Sequence, residues 1–166
     1  MLAALEALVK LESPTEDLQA CQDVIKLASD LATKVLGTPA EIRDVNGRPV
    51  FWWGANNPEV VVLAHLDTVW PKGSFTPLWK VEGTKATGPG IFDMKAGFIQ
   101  ALYAMKGITG SVALVATTDE ETGSATSKEF IKQISAQAKA VLVLEASLDG
   151  MVKTGRKGTA MYQIKI

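Results

Sequence analysis

The sequence predicts an α/β fold, a mainly parallel mixed sheet with helices on both faces, and three observations carry that prediction. The runs Val60 to Ala64, Val112 to Thr118 and Val141 to Leu144 are almost continuously apolar, as strands covered on both faces must be. Segments with apolar residues at helical spacing separate these runs, the alternation that builds parallel sheets. An Asn46-Gly47 pair between two strand-like stretches marks a tight hairpin, so part of the sheet is antiparallel. The length of 166 residues suits one domain that buries ~68–70% of its unfolded surface.

The elements follow in order. Leu2, Leu5, Leu8 and Val9 share one face of a helix over 2–11. Ser13-Pro14-Thr15-Glu16 has the form of a capping box with proline in the first turn. The helix it would open buries Leu18, Cys21, Val24, Ile25, Ala28, Leu31 and Val35, and Gly37 then Pro39 end it. The hairpin around Asn46-Gly47 comes next, then a turn at Asn56-Asn57-Pro58 and the first buried strand. A second hairpin is expected around Gly83, and Gly88-Pro89-Gly90 breaks the chain before a helix that opens at Asp93. After the strand at 112–118, a helix spans Ser124 to Gln137, with Phe130, Ile131 and Ile134 inward. A last buried strand begins at Ala140.

Composition narrows the function. The charges nearly cancel, with 17 Lys plus Arg against 18 Asp plus Glu, so no basic excess exists to bind nucleic acid. A single cysteine rules out an internal disulfide framework and a Cys-rich zinc module. No apolar run approaches the ~20 residues of a membrane span, and the N-terminus lacks a basic signal-peptide region. The expectation is a soluble, cytoplasmic protein that binds neither membrane nor nucleic acid.

The strand ends carry the chemistry. Ligands of such sheets bind beyond the carboxyl ends of the strands. The first run ends in His65-Leu66-Asp67, the second in Asp119-Glu120-Glu121, the third in Glu145, and Asp93 follows the glycine-rich turn. That many carboxylates at one edge repel one another and resist desolvation unless a cation joins them. One histidine with several carboxylates suits zinc, and a bridging carboxylate would hold two ions ~3.5–4 Å apart. Each residue also has a plainer use. His65, the sole histidine, would by itself be structural, Asp93 a helix cap, and Glu120-Glu121 a solvated turn. The site at 65–67 favours the ligand role for His65, because residues i and i+2 share a strand face and let Asp67 orient the ring. Glu145 is the hardest to explain otherwise, since a buried acid is rarely left alone. Cys21 reads as core, the four tryptophans as core or rim, and Trp70 as close enough to line a pocket. The Gly88-Pro89-Gly90 turn is a poor phosphate cradle, because Asp93 would oppose the anion.

The segments AHLDTVWPKGSF, GPGIFDMKAG, TTDEETGS and VLEAS, in that order, resemble the motifs of the aminoacylase and glutamate-carboxypeptidase family of di-zinc amidohydrolases. That family includes acetylornithine deacetylase and succinyl-diaminopimelate desuccinylase, and the likeness is nearest to the glutamate-carboxypeptidase branch. It covers nearly the whole chain. The resemblance implies two zincs per complete site, with cobalt or manganese as alternatives. It implies His65 and Glu145 as ligands of one ion, Asp93 as the bridge and Glu121 as a ligand of the second. By the same likeness Asp67 backs the metal-bound histidine and Glu120 is the general base. The implied reaction is hydrolysis of a small peptide or N-acyl amino acid, releasing a C-terminal residue such as glutamate.

The sequence departs from that family in one respect. A further histidine on the second zinc and a histidine from a lid domain are expected there, whereas His65 is alone here. Residues 1–152 are therefore read as the N-terminal part of the catalytic domain. Residues 153–166 are read as the start of an incomplete lid, with a lid strand running to Ile166 and a homodimer through the lid in the complete protein. This chain alone is expected to be truncated and inactive. The alternatives are a non-catalytic folding or interaction unit, and a metal-free glycosidase using Glu120 and Glu145.

Overall fold

The computed structural model describes residues 1–155, 157–158, 160 and 162–165. Helices α1 (Leu2–Lys10) and α2 (Leu18–Leu36) precede strands β1 (Glu41–Val45), β2 (Arg48–Gly54) and β3 (Val60–His65). A small hairpin, β4 (Lys80–Glu82) and β5 (Lys85–Thr87), leads to α3 (Ala96–Ala104). The chain closes on β6 (Val112–Thr117), α4 (Lys128–Ala136) and β7 (Ala140–Val143).

The main sheet has the order β1-β2-β6-β3-β7. β3 pairs in parallel with both β6 and β7, while β2 is antiparallel to β6 and to β1. Four of the five strands therefore run one way and only β2 opposes them. The hairpin forms as its turn chemistry requires, with positive φ at both Asn46 and Gly47.

Strand parity splits the core in two. Phe51, Val62, Ala64, Leu114 and Ala116 face α1, α2 and α3, packing on Leu8, Ile25 and Phe98. Their neighbours Val50, Trp52, Val61, Ala113 and Val115 face the other way and meet Phe130 and Ile134 of α4. Successive strand side chains point to opposite faces, so runs apolar at every position supply both layers.

Several local expectations change, among them α4, which starts at Lys128 and not Ser124, and Leu18, which is exposed. The capping box does not form. Asp17 caps α2 by accepting the Ala20 N–H at 2.9 Å. Ser13 is buried instead, and its hydroxyl donates to the Leu66 carbonyl at 2.6 Å while Pro14 bridges to Thr68. Contact with the chain leaving β3 outweighs a local cap. The helix expected from Asp93 begins only at Ala96. Asp93 and Met94 lie outside helical φ/ψ in a single wide turn, and no side chain caps it. The last strand is not buried: Val141, Leu142 and Val143 are 37%, 52% and 57% exposed. It lies at the sheet edge, hydrogen-bonded to β3 alone among the described residues.

None of the described residues after Met151 lies in a strand. The expected lid strand to Ile166 falls in part on residues outside those described. Among the described residues, no helix is long and apolar enough to cross a membrane.

Candidate metal centre

The site sits where β3, β6 and β7 end together. Parallel pairing aligns Val60 with Val112 and with Ala140, so the residues after these strands emerge at one edge. His65 closes β3 and is buried, with its N–H held by the Met94 sulfur at 3.3 Å. Its Nε2 lies 3.1 Å from Oδ1 of Asp93 and 3.4 Å from Oε1 of Glu145. Glu120 is next, with Oε2 at 3.8 Å. His65, Glu120 and Glu145 also share the wall of a cavity of about 190 Å³.

His65, Asp93 and Glu145 each offer one ligand atom within 4.8 Å of the others, the one such trio among the described residues. Imidazole nitrogen with carboxylate oxygens is a donor set that zinc accepts, and three protein ligands leave a fourth position open. Tetrahedral ligands ~2.0–2.1 Å from an ion stand about 3.3 Å apart. The observed separations from Nε2, 3.1 and 3.4 Å, fit that spacing.

Asp67 stands behind the ring, though not by a simple carboxylate bond. Nδ1 lies 3.1 Å from the Asp67 backbone carbonyl and 3.3 Å from its Oδ1. Oδ1 itself is buried without a hydrogen bond. Oδ2 accepts the Thr15 hydroxyl at 2.7 Å and the Glu121 N–H at 3.2 Å. Glu121 thus meets Asp67 through its backbone, and its carboxylate supplies no atom to the trio among the described residues.

The loop carrying Glu120 and Glu121 is fixed by Asp119. Its carboxylate accepts from Ser127 N–H at 2.9 Å, Ser127 hydroxyl at 2.6 Å, Thr126 N–H at 2.8 Å and the Thr126 hydroxyl. Burial tends to raise the Asp119 pKa, but these donors outweigh it and hold the carboxyl below its usual range. Arg48 ties the same region to the N-terminal loop by donating to the carbonyls of Thr15 and Thr118 at 2.7 and 2.8 Å.

Charge crowding shows in the titration of the site. Burial tends to lower the His65 pKa, but Asp67, Glu145 and Glu120 override it and raise it to about 11. Burial raises Asp93, Glu120 and Glu121, and neighbouring carboxylates add to each. The surrounding carboxylates thus favour the imidazolium form of His65 in the metal-free site. Lys95 lies deeper, and burial pushes its amine down to about 7.

Reading the sequence alone overlooked Ser13, Thr15, Met94 and Lys95. The Ser13-Pro14-Thr15 segment looked like a helix start, and nothing local shows that it packs on the chain after β3. Trp70 does not line the large cleft of about 710 Å³ beside the site, whose walls include Thr15, Lys72 and Glu121. It stacks edge-on against Phe75 with ring centres 5.0 Å apart.

Comparison with known proteins agrees with this architecture. The chain is 34% identical over 123 residues to carboxypeptidase G2 of Pseudomonas sp. (strain RS-16), which covers 68% of this chain and 30% of that relative. Its fold matches an M20 family metallo-carboxypeptidase, Sso-CP2 from Sulfolobus solfataricus, with a TM-score of 0.73 and 20% identity, covering 89% of this chain and 37% of that one. Human carnosine dipeptidase 1 matches with a TM-score of 0.67 and 17% identity over 86% of this chain and 37% of its own. The chain therefore spans about a third of the length of these relatives. Residues 61–161, which hold His65, Asp93, Glu120, Glu121 and Glu145, match the peptidase family M20/M25/M40, and the chain belongs to that family.

Proposed function

We propose that this chain is the N-terminal part of the catalytic domain of a zinc-dependent carboxypeptidase that releases a C-terminal amino acid such as glutamate from a small peptide or N-acyl amino acid. The observation that carries the proposal is the trio of His65, Asp93 and Glu145, with Glu120 3.8 Å from the imidazole. In this reading residues 1–152 belong to the catalytic domain, and residues 153–166 begin a lid through which the complete protein dimerises. The location is cytoplasmic, where the one buried thiol, Cys21, stays reduced.

Each residue then has a task. His65, Asp93 and Glu145 would hold a first zinc, and Asp93 and Glu121 would contribute to a second. Bound zinc supplies Lewis acidity to the scissile carbonyl and to a water. Glu120 takes a proton from the attacking water and passes it to the leaving nitrogen, a transfer suited to a carboxyl whose pKa is raised by burial. Asp67 keeps the His65 ring oriented and basic through Nδ1. The second position needs a third ligand, the family resemblance implies a histidine there, and these 166 residues hold no histidine but His65. The chain by itself is then a poor peptidase. Membership of a peptidase family leaves the glycosidase alternative without support.

The test joins metal analysis to turnover. The purified chain should bind about one zinc, and His65→Ala should lose it. A longer form carrying the lid should hydrolyse N-acyl glutamates and lose that activity to chelators. Equal zinc content in wild type and His65→Ala would overturn the metal centre. A non-catalytic folding unit would be indicated if the longer form bound zinc but turned nothing over.

A further inference from the structure

Lys95 is a fully buried lysine to which the proposed chemistry gives no task. Its Nζ donates to the carbonyls of Leu8 at 3.0 Å and Leu11 at 3.1 Å. These lie at the C-terminal end of α1, among the carbonyls that a helix terminus leaves in need of donors. The contact joins residues more than eighty positions apart.

The same turn is pinned on its other side. Met94 is buried, and its sulfur accepts the His65 N–H from β3. The Lys95 N–H donates to the Gly90 carbonyl at 2.8 Å, closing the turn. A Cβ on Gly90 would stand 2.6 Å from the Thr68 methyl, so the turn lies tight against the chain that leaves β3. The two residues after Asp93 are thus buried anchors, one to β3 and one to α1, while the Asp93 side chain is 55% exposed. Consecutive Cα atoms are ~3.8 Å apart, so anchoring positions 94 and 95 limits where Asp93 can stand.

We propose that Lys95 is a positioning residue for the metal centre. By clamping the end of α1, it holds the turn that sets Asp93 against His65, and α1 becomes part of the support of the site. A methionine would fill similar space without the cost of burying a charge. What lysine adds is a pair of directed N–H bonds to two carbonyls of another element. The inference rests on reading His65, Asp93 and Glu145 as ligands.

The test titrates the 166-residue chain with zinc against a chromophoric chelator, and with cobalt for its visible spectrum. Metal-free circular dichroism and melting define a temperature at which each variant is folded. Lys95→Met should weaken zinc binding roughly 10–100-fold and alter the cobalt bands, as loss of outer support does. Lys95→Arg, which keeps several donors, should recover much of the affinity. A folded Lys95→Met with wild-type affinity and spectrum overturns the inference. If Lys95→Met does not fold, Lys95→Gln is judged by the same two results. Loss of the metal-free fold in all three variants also overturns it, since the amine would then hold the fold rather than the site. A wild-type chain that binds no zinc overturns instead the metal centre itself.

Discussion

The hydroxyl of Thr15 donates to Oδ2 of Asp67 at 2.7 Å, across 52 residues of chain, with both groups buried. This bond and the Glu121 N–H leave Oδ1 of Asp67 facing the histidine ring. Thr15→Val keeps the shape and removes the donor. It should cost about 1–3 kcal/mol of stability, read by urea denaturation. Zinc affinity should also fall, because the carboxylate behind His65 loses its orientation. Unchanged affinity in a destabilised variant would show that Thr15 serves the fold alone.

Gly97, in the first turn of α3, lies against the chain just past β7. A Cβ there would collide with the backbone carbonyl of Leu144, the residue before Glu145. Gly97→Ala should destabilise the chain by about 1–3 kcal/mol. It should also displace Glu145 and weaken metal binding, measured by zinc titration beside thermal melting. Wild-type values for both would mean that β7 ends more loosely than this contact implies.

Metal affinity should rise with pH. A cation takes a neutral imidazole and ionised carboxylates, so it must displace protons that the metal-free site holds. The His65 pKa is raised to about 11, and those of Asp93, Glu120 and Glu121 are raised as well. Each proton released adds up to about tenfold in affinity per pH unit. Calorimetry in buffers of different ionisation enthalpy counts those protons. For the metal-free fold the His65 sign is the reverse. Its stabilising contribution is complete below the unfolded value of ~6.5 and is lost as pH climbs toward about 11. Zinc binding that releases no proton would contradict this electrostatic picture.

On the proposed reading, Glu120 and Glu121 should separate by role in a form that turns substrate over. Glu120→Gln should remove most turnover, on the order of 10²-fold or more, with metal content near wild type. Glu121→Gln should lower metal occupancy. Glu120 has a carboxylate oxygen 3.8 Å from His65 Nε2, so the converse outcome would assign Glu120 to the metal and Glu121 to the proton.

The α/β class, the hairpin and the gathering of His65 and Glu145 at the strand ends were legible in the sequence because each rests on local pattern. Runs apolar at every position suit strands packed on two faces, and Val61 and Val62 of β3 do face opposite layers. Asn46-Gly47 takes the positive φ pair that few other residues accept. His65 and Glu145 follow such runs directly, so parallel pairing brings them to one edge whatever else the chain does. Tertiary structure alone decided how those groups are held. Ser13 gave up a local cap, and both Ser13 and Thr15 took partners on the chain after β3, because burial beside Leu66 and Asp67 demanded their hydroxyls. Asp93 left the helix because buried Met94 and Lys95 anchor its turn to β3 and α1. β7 is apolar yet exposed, because burial depends on what lies beside an edge strand and not on the strand's own residues.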